Sequence, residues 1–370
     1  MFEKVKGNFG FGCMRLPMNG EEVDLEQVCR MTDAFLAAGF NYFDTAHGYI
    51  SGKSEIAVRE CLVKRHPRES FTLTDKLTEP YFEREEDIRP FFESQLEICG
   101  VEYFDFYLMH AQNAKNYEKF KRCRAYETAF ALKKEGKIRH VGLSFHDSPE
   151  VLDQILTEYP EIEVVQIQFN YVDYDNPGVA GRRCYEVCRK HNKPIIVMEP
   201  VKGGRLVNLP PEADATLRGL GNYSNAAYAI RYCASFDGVF MTLSGMSTLE
   251  QMTDNLSAMT DFKPLSKAEA EGIDRVRAIL ASEDLISCTA CRYCVDGCPK
   301  SIPIPELFSC MNQNKRAGGD DWNSKTYYHN HTRAGGKASS CVGCGACEKA
   351  CPQHLEIRKL LKEVANHFEK

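Results

Sequence analysis

The chain has 370 residues, 43 % of them hydrophobic, enough for a large core and more than one domain. Its formal net charge of −6 offers no broad basic footprint for nucleic acid. No stretch is long and apolar enough to span a membrane, and the opening residues Met1 to Gly7 lack the apolar region of a secretory signal, so a cytoplasmic protein is expected.

In chain order, short apolar runs alternate with amphipathic ones from about residue 23 to residue 257. Val28, Met31, Phe35 and Ala38 recur at helical spacing, and Gly39 is a C-terminal stop. A strand over 40–44, a helix over 54–64 and a strand over 71–76 follow. Ile88, Phe92, Leu96 and Cys99 repeat the helical face, ending at Gly100, before a strand over 104–110. The same grammar predicts one helix over 117–135, strands over 138–143, 164–169, 194–198 and 239–243, and helices over 149–158, 181–191, 225–235 and 249–256. Near-continuous Val/Ile/Leu runs suit strands buried on both faces of a parallel sheet. Repeated βα units over this length predict a closed (β/α)8 barrel, with a doubly wound open sheet as the alternative. No G-x-G-x-x-G follows an early strand, which counts against a Rossmann nucleotide site.

Four titratable residues stand at or just beyond predicted strand ends: Asp44, Tyr49, Lys76 and His110. In a barrel such ends converge on one mouth. The set suits carbonyl reduction, in which hydride reaches carbon while an acid protonates oxygen. A free tyrosine, with a pKa of about 10, is a weak acid for this, and a lysine ammonium beside it is expected to lower that value. Asp44 would hold Lys76 charged and oriented, and His110 would bond the substrate oxygen. Any one of the four alone would more often be structural than catalytic. His47 and His146 are loop residues outside this set, with a possible substrate-facing role.

With Phe43-Asp44-Thr45-Ala46 and Leu108-Met109-His110 around it, this set resembles the Asp, Tyr, Lys and His tetrad of the aldo-keto reductases, over roughly residues 5–260. The resemblance implies a barrel that binds NADP or NAD without a Rossmann domain and acts on a small carbonyl or alcohol substrate. It places Gly12, Cys13, Met14 and Arg15 in the first-strand segment near the cofactor ribose and diphosphate. Ser144 and Gln166 fall where the family holds the nicotinamide carboxamide. Glu199, Pro200 and Val201, leading into Lys202-Gly203-Gly204, match the loop over the diphosphate. Gly245, Ser247, Gln251 and Asn255 match the loop and helix start at the adenosine end, where orphan N–H groups favour phosphate. The chain departs from the family at Met198, where an aromatic often stacks on nicotinamide, and at Phe145, where an Asn is frequent. Gln251 stands where many members have an Arg for the 2′-phosphate, and an amide cannot replace bidentate guanidinium recognition, so NADPH is the family default that the resemblance implies and NADH stays open.

Beyond about residue 262, composition shifts. Residues 1–265 form the predicted barrel, 266–284 a helical linker, and 285–370 a small, mainly helical, ferredoxin-like iron–sulfur domain. Of the 17 cysteines, eight form two C-x2-C-x2-C-x3-C-P runs, Cys288-Cys291-Cys294-Cys298-Pro299 and Cys341-Cys344-Cys347-Cys351-Pro352. The other nine, Cys310 among them, sit mostly among apolar residues and read as small buried hydrophobes. This is the bacterial ferredoxin run, whose fourth cysteine ligates the other cluster. It implies Cys288, Cys291, Cys294 and Cys351 on one [4Fe–4S] cluster and Cys341, Cys344, Cys347 and Cys298 on the second. Structural zinc has no use for the fixed C-x3-C-P. The 42 residues between Cys298 and Cys341 resemble the helical two-cluster modules appended to redox enzymes, with helices over 304–311 and 356–364. Hydride chemistry needs no iron, so the clusters are expected to exchange electrons with a protein partner. The competing reading is a redox-sensing or binding module with structural or regulatory clusters. The usual C-terminal loop over the site gives way to this module, parts of which could line the pocket.

Overall fold

A computed structural model describes residues 2–369 apart from Glu283, Gly318 and Ala334. Eight parallel strands close into a barrel in sequence order: β1 (Phe9–Gly12), β2 (Tyr42–Asp44), β3 (Thr72–Leu77), β4 (Phe104–Gln112), β5 (Ile138–Phe145), β6 (Val164–Gln168), β7 (Ile195–Met198) and β8 (Val239–Gly245), with β8 back on β1. The (β/α)8 architecture expected from the alternating runs is therefore the one observed, and the open sheet is excluded.

Alternating strand residues divide the barrel between two cores. Tyr42, Phe106, Leu108, Val164, Ile196, Met241 and Leu243 fill the interior, and Phe2 closes one end against Phe106 and Phe240. Residues of opposite parity, such as Phe43, Leu73, Tyr107 and Val165, pack under the surrounding helices. Burying side chains of this size contributes about 1.5–3 kcal/mol each.

Boundaries differ where backbone geometry overrides pattern. The helix expected over 117–135 is two, Ala114–Arg122 and Ala125–Lys134, broken at Arg124, whose φ is 51°. The helix expected over 54–64 changes from α (Lys53–Val58) to a π turn (Arg59–Val63). Two further helices lie outside the expected pattern: Trp322–His331, which has no apolar stripe, and the eight-residue Pro211–Arg218, which buries only Ala213 and Leu217. Only Gly12 of the segment 12–15 belongs to a strand: β1 ends there and Cys13–Arg15 is a 3-10 turn.

The helix Lys267–Ser282 lies on the barrel, tied by Arg231 to Glu269 (2.5 Å) and Arg277 to Asp175 (2.5 Å). The C-terminal domain has its own core, including Leu307, Phe308, Tyr328, Leu361 and Val364, contributed by helices Ile304–Arg316, Trp322–His331 and Ile357–Phe368. Its two cysteine runs fold alike. Each enters a four-residue helix, Tyr293–Asp296 or Ala346–Lys349, through a left-handed residue, Arg292 (φ 67°) or Gly345 (φ 77°).

Candidate active site

Register alone begins the site. Gly12, Asp44 and Thr74 are neighbours across β1, β2 and β3, and Lys76 lies two residues further along β3 beside Leu108. His110 occupies an irregularity in β4, where pairing with β5 shifts between Met109 and Gln112 and Ala111 has a φ of 49°. Such bulges re-aim a side chain at a barrel rim. Tyr49 opens a 3-10 turn whose next two residues, Ile50 and Ser51, are also left-handed, backbone strain held at the rim.

These placements bring the four expected residues together. Lys76 Nζ donates to Asp44 Oδ1 (2.7 Å) and to the Thr45 carbonyl (2.7 Å), and both charged side chains are buried. Gln166 Nε2 donates to the other Asp44 oxygen (3.2 Å). A buried ion pair persists only with its remaining bonds satisfied in this way. Lys76 Nζ lies 4.7 Å from the centroid of the Tyr49 ring, and the Tyr49 and His110 rings meet edge to face at 5.9 Å. His110 Nδ1 is 2.7 Å from the Thr78 hydroxyl.

Burial dominates the electrostatics. It holds the Asp44 carboxyl above its usual range despite Lys76, and it holds His110 well below the usual imidazole value, helped by Lys76 and His146. Tyr49 corrects the sequence expectation of a lowered phenol. Burial first, then Asp44 and Asp75, push it well above the usual value, because the ammonium sits over the ring while bonded to Asp44 and Thr45.

A cavity of about 500 Å³ opens from Asp44, Tyr49 and His110. Every cofactor candidate lines it except Cys13, whose buried thiol turns back to the Phe11 carbonyl (3.6 Å). Cys13 is therefore removed from the cavity wall by the 3-10 turn that puts Met14 and Arg15 there. Ser144 Oγ accepts from the Ala111 N–H (2.8 Å), and Gln251 Oε1 accepts from the Ser247 N–H (2.8 Å). Asn255 Oδ1 and Glu199 Oε2 are buried without partners. Buried orphan acceptors are uncommon, and these fit a ligand with several donors, as a dinucleotide has. Met198 lines the cavity, so no aromatic replaces it on β7.

His47 does not line this cavity; its Nδ1 is bonded to buried Glu55 (2.7 Å) and its ring packs on Tyr81 and Phe91. His146 does line it, as do Cys291, Tyr293 and Pro352 of the cysteine-rich domain. Sequence order gives no sign of these last three individually. The domains touch closely here: Arg15 Nη2 donates to the Thr289 carbonyl (3.0 Å), and a Cβ on Gly203 (φ 63°) would lie 2.3 Å from the same oxygen.

The eight run cysteines line two separate voids. Cys288, Cys291, Cys294 and Cys351 surround one, and Cys298, Cys341, Cys344 and Cys347 the other, so each run sends its fourth cysteine to the other run's void. Four thiols around each space suit a [4Fe–4S] cluster. Of the remaining nine cysteines, Cys29 is partly exposed and the others are buried.

A parallel eight-stranded barrel thus carries a buried Asp–Lys pair, a phenol and an imidazole at its mouth, and comparison with known proteins makes it an oxidoreductase. The chain belongs to the aldo/keto reductase family, whose model matches residues 8–278, and a 4Fe-4S dicluster domain model matches residues 287–356. It is thus a nicotinamide-dependent oxidoreductase fused to an iron–sulfur domain. An uncharacterised oxidoreductase of Schizosaccharomyces pombe is 25 % identical over 272 residues, 69 % of this chain and 82 % of that one. The NADH-specific methylglyoxal reductase of Escherichia coli is 26 % identical over 200 residues, 49 % of this chain and 58 % of that one. Among solved structures, an aldo-keto reductase from Klebsiella pneumoniae in complex with NADPH superposes with a TM-score of 0.60 at 20 % identity, covering 73 % of this chain and 90 % of that one. That likeness concerns the fold. Among the described residues, no helix is long and apolar enough to cross a membrane.

Proposed function

We propose that this protein reduces an aldehyde or ketone with NADH or NADPH, and in reverse oxidises the alcohol, with Tyr49 as general acid. The observation that carries this reading is the Lys76 ammonium, fixed by Asp44 and Thr45 and set 4.7 Å from the centroid of the Tyr49 ring. A dihydronicotinamide, held by the residues lining the cavity, would supply hydride (two electrons and a hydrogen nucleus) to the carbonyl carbon when bound. Tyr49 gives its hydroxyl proton to the carbonyl oxygen, and the nearby ammonium stabilises the phenolate left behind. A phenol raised by burial keeps its proton until alkoxide charge develops, and an alkoxide is a stronger base still. In the tautomer where the Thr78 hydroxyl donates to Nδ1, neutral His110 presents Nε2–H to the same oxygen.

NADH is the cofactor we propose as preferred. Glu250 and Asp254 line the cavity with Gln251 and Asn255, and Arg15, the basic residue of that lining among the described residues, donates to Thr289. A 2′-phosphate would meet the Glu250 and Asp254 carboxyls there, with an amide, Gln251, in place of a guanidinium between them.

Cys288, Cys291, Cys294 and Cys351 would hold one cluster and Cys298, Cys341, Cys344 and Cys347 the second, each supplying one-electron transfer when bound. Cys291 lines the active cavity while Cys344 is exposed, which supports exchange with a redox protein partner at the far cluster. The free thiols suit a reducing compartment such as the cytoplasm. Tyr49→Phe tests the central reading: carbonyl reduction should fall at least about a thousandfold, with nicotinamide binding within about twofold. Retained turnover would remove Tyr49 as the acid.

A further inference from the structure

Two side chains in the cavity wall have no part in the proton transfer above. His146 follows β5, and Tyr293 stands between the run cysteines Cys291 and Cys294. His146 Nδ1 is buried with no hydrogen-bond partner, so the protein does not use the hydrogen-bonding capacity of this ring nitrogen. Tyr293 keeps 38 % of its surface accessible, and Gln168, also in the cavity wall, has its amide engaged by Asp173 and Gln353.

Charge narrows what these groups could bind. The titratable groups in this part of the wall are Asp44, Tyr49, His110, His146, Glu199, Cys291 and Tyr293. Burial keeps His110 neutral and pushes His146 down to about 4, with His354 adding to the effect. Lys76 is behind the wall and bonded to Asp44, and Arg15 is turned to Thr289. A substrate carboxylate or phosphate would find no cation here, and thiolates around a cluster at Cys291 would repel it. A neutral oxygen would satisfy both an imidazole and a phenol.

We infer that His146 and Tyr293 form a second oxygen-binding subsite, which takes a neutral carbonyl compound carrying a further hydroxyl or carbonyl oxygen. The iron–sulfur domain thereby contributes a substrate-contacting residue to the barrel enzyme. This inference rests on the reductase reading for its reacting carbonyl. A polar wall facing an apolar substituent loses its hydrogen bonds, which discriminates against an otherwise isosteric ligand by at least about tenfold.

The test uses full-length, cluster-loaded protein under anaerobic conditions with NADH and three carbonyls of similar size: hydroxyacetone, butanone and pyruvate. The expected order of kcat/KM is hydroxyacetone first by at least about tenfold, with pyruvate last. Tyr293→Phe and His146→Leu should each shrink the hydroxyacetone-to-butanone ratio several-fold, and His146→Gln should restore part of it, with iron content unchanged. A wild-type ratio near one, or a ratio that neither variant alters, overturns the subsite. Calorimetric titration of the NAD-loaded protein with the same two ketones reads the subsite without turnover. Loss of all Tyr49-dependent turnover alongside a variant-sensitive binding difference would sink the reductase reading alone. Equal binding of both ketones would overturn this inference alone.

Discussion

Gln168, the last residue of β6, and Gln353, two residues beyond the final cluster-run cysteine, exchange a reciprocal pair of amide hydrogen bonds at 3.1 and 3.0 Å. Lys202 adds a bond to Gln353 Oε1 (3.1 Å) and is itself paired with Asp173, all of it buried. Lys202 belongs to the loop expected over the cofactor diphosphate, yet its ammonium is directed into this junction. The polar network fastens the Cys351 loop to the barrel mouth.

Gln353→Leu should therefore loosen the domain junction. It leaves Gln168 Oε1 and part of the Lys202 ammonium buried without partners, while Gln168 Nε2 keeps Asp173, a loss of about 1–3 kcal/mol. Hydrogen exchange should show lost protection around residues 168–173 and 351–355, with the core of β3 and β4 unaffected. Unchanged protection at the junction would mean the network does not hold the domains.

Stability should fall in acid through the two cavity histidines. Their folded pKa values lie below the ordinary 6.5, that of His146 at about 4. Between these values the unfolded chain binds the proton and the folded one does not. The contribution is therefore complete above about pH 6.5 and drains as pH falls, by up to about 1.4 kcal/mol per unit for each group. His47 has the opposite sign, since Glu55 raises it: its contribution is present below pH 6.5 and is lost as pH rises through the folded value. Exchange protection of β5, corrected for intrinsic rates, should weaken from pH 7 to pH 5, and His146→Leu should reduce that slope.

Crossed cysteine ligation makes a counter-intuitive prediction. Wild-type protein should contain about eight iron and eight sulfide per chain. Cys298→Ser should remove the cluster ringed by Cys341, Cys344 and Cys347, although Cys298 belongs to the first run. Cys351→Ser should remove the cluster beside the cavity and alter NADH binding. Matching effects of Cys298→Ser and Cys288→Ser on NADH binding would contradict the two voids.

Cofactor preference should follow charge at the Gln251 end of the cavity. Gln251→Arg combined with Glu250→Gln should tighten NADPH relative to NADH by at least about tenfold, because a guanidinium replaces an amide and a carboxylate is removed. Parallel binding titrations decide this, and an unchanged ratio would move the 2′-hydroxyl elsewhere.

Much of this enzyme was legible in one dimension because its signals are local. The apolar βα rhythm foretold the barrel, and the run spacing foretold the iron–sulfur domain. Asp44, Tyr49, Lys76 and His110 could be singled out because strand ends share one mouth in this topology. Other features depend on distances between segments far apart in sequence. Only the folded chain sets Lys76 over the Tyr49 ring and buries the phenol deeply enough to raise its pKa. Only folding turns Cys13 into the core, breaks the helix at Arg124, and carries Tyr293 from the second domain into the barrel's cavity. Residue type and spacing specify which groups a chain can offer, whereas burial and approach angle, set by tertiary packing, decide the charge each bears and what it faces.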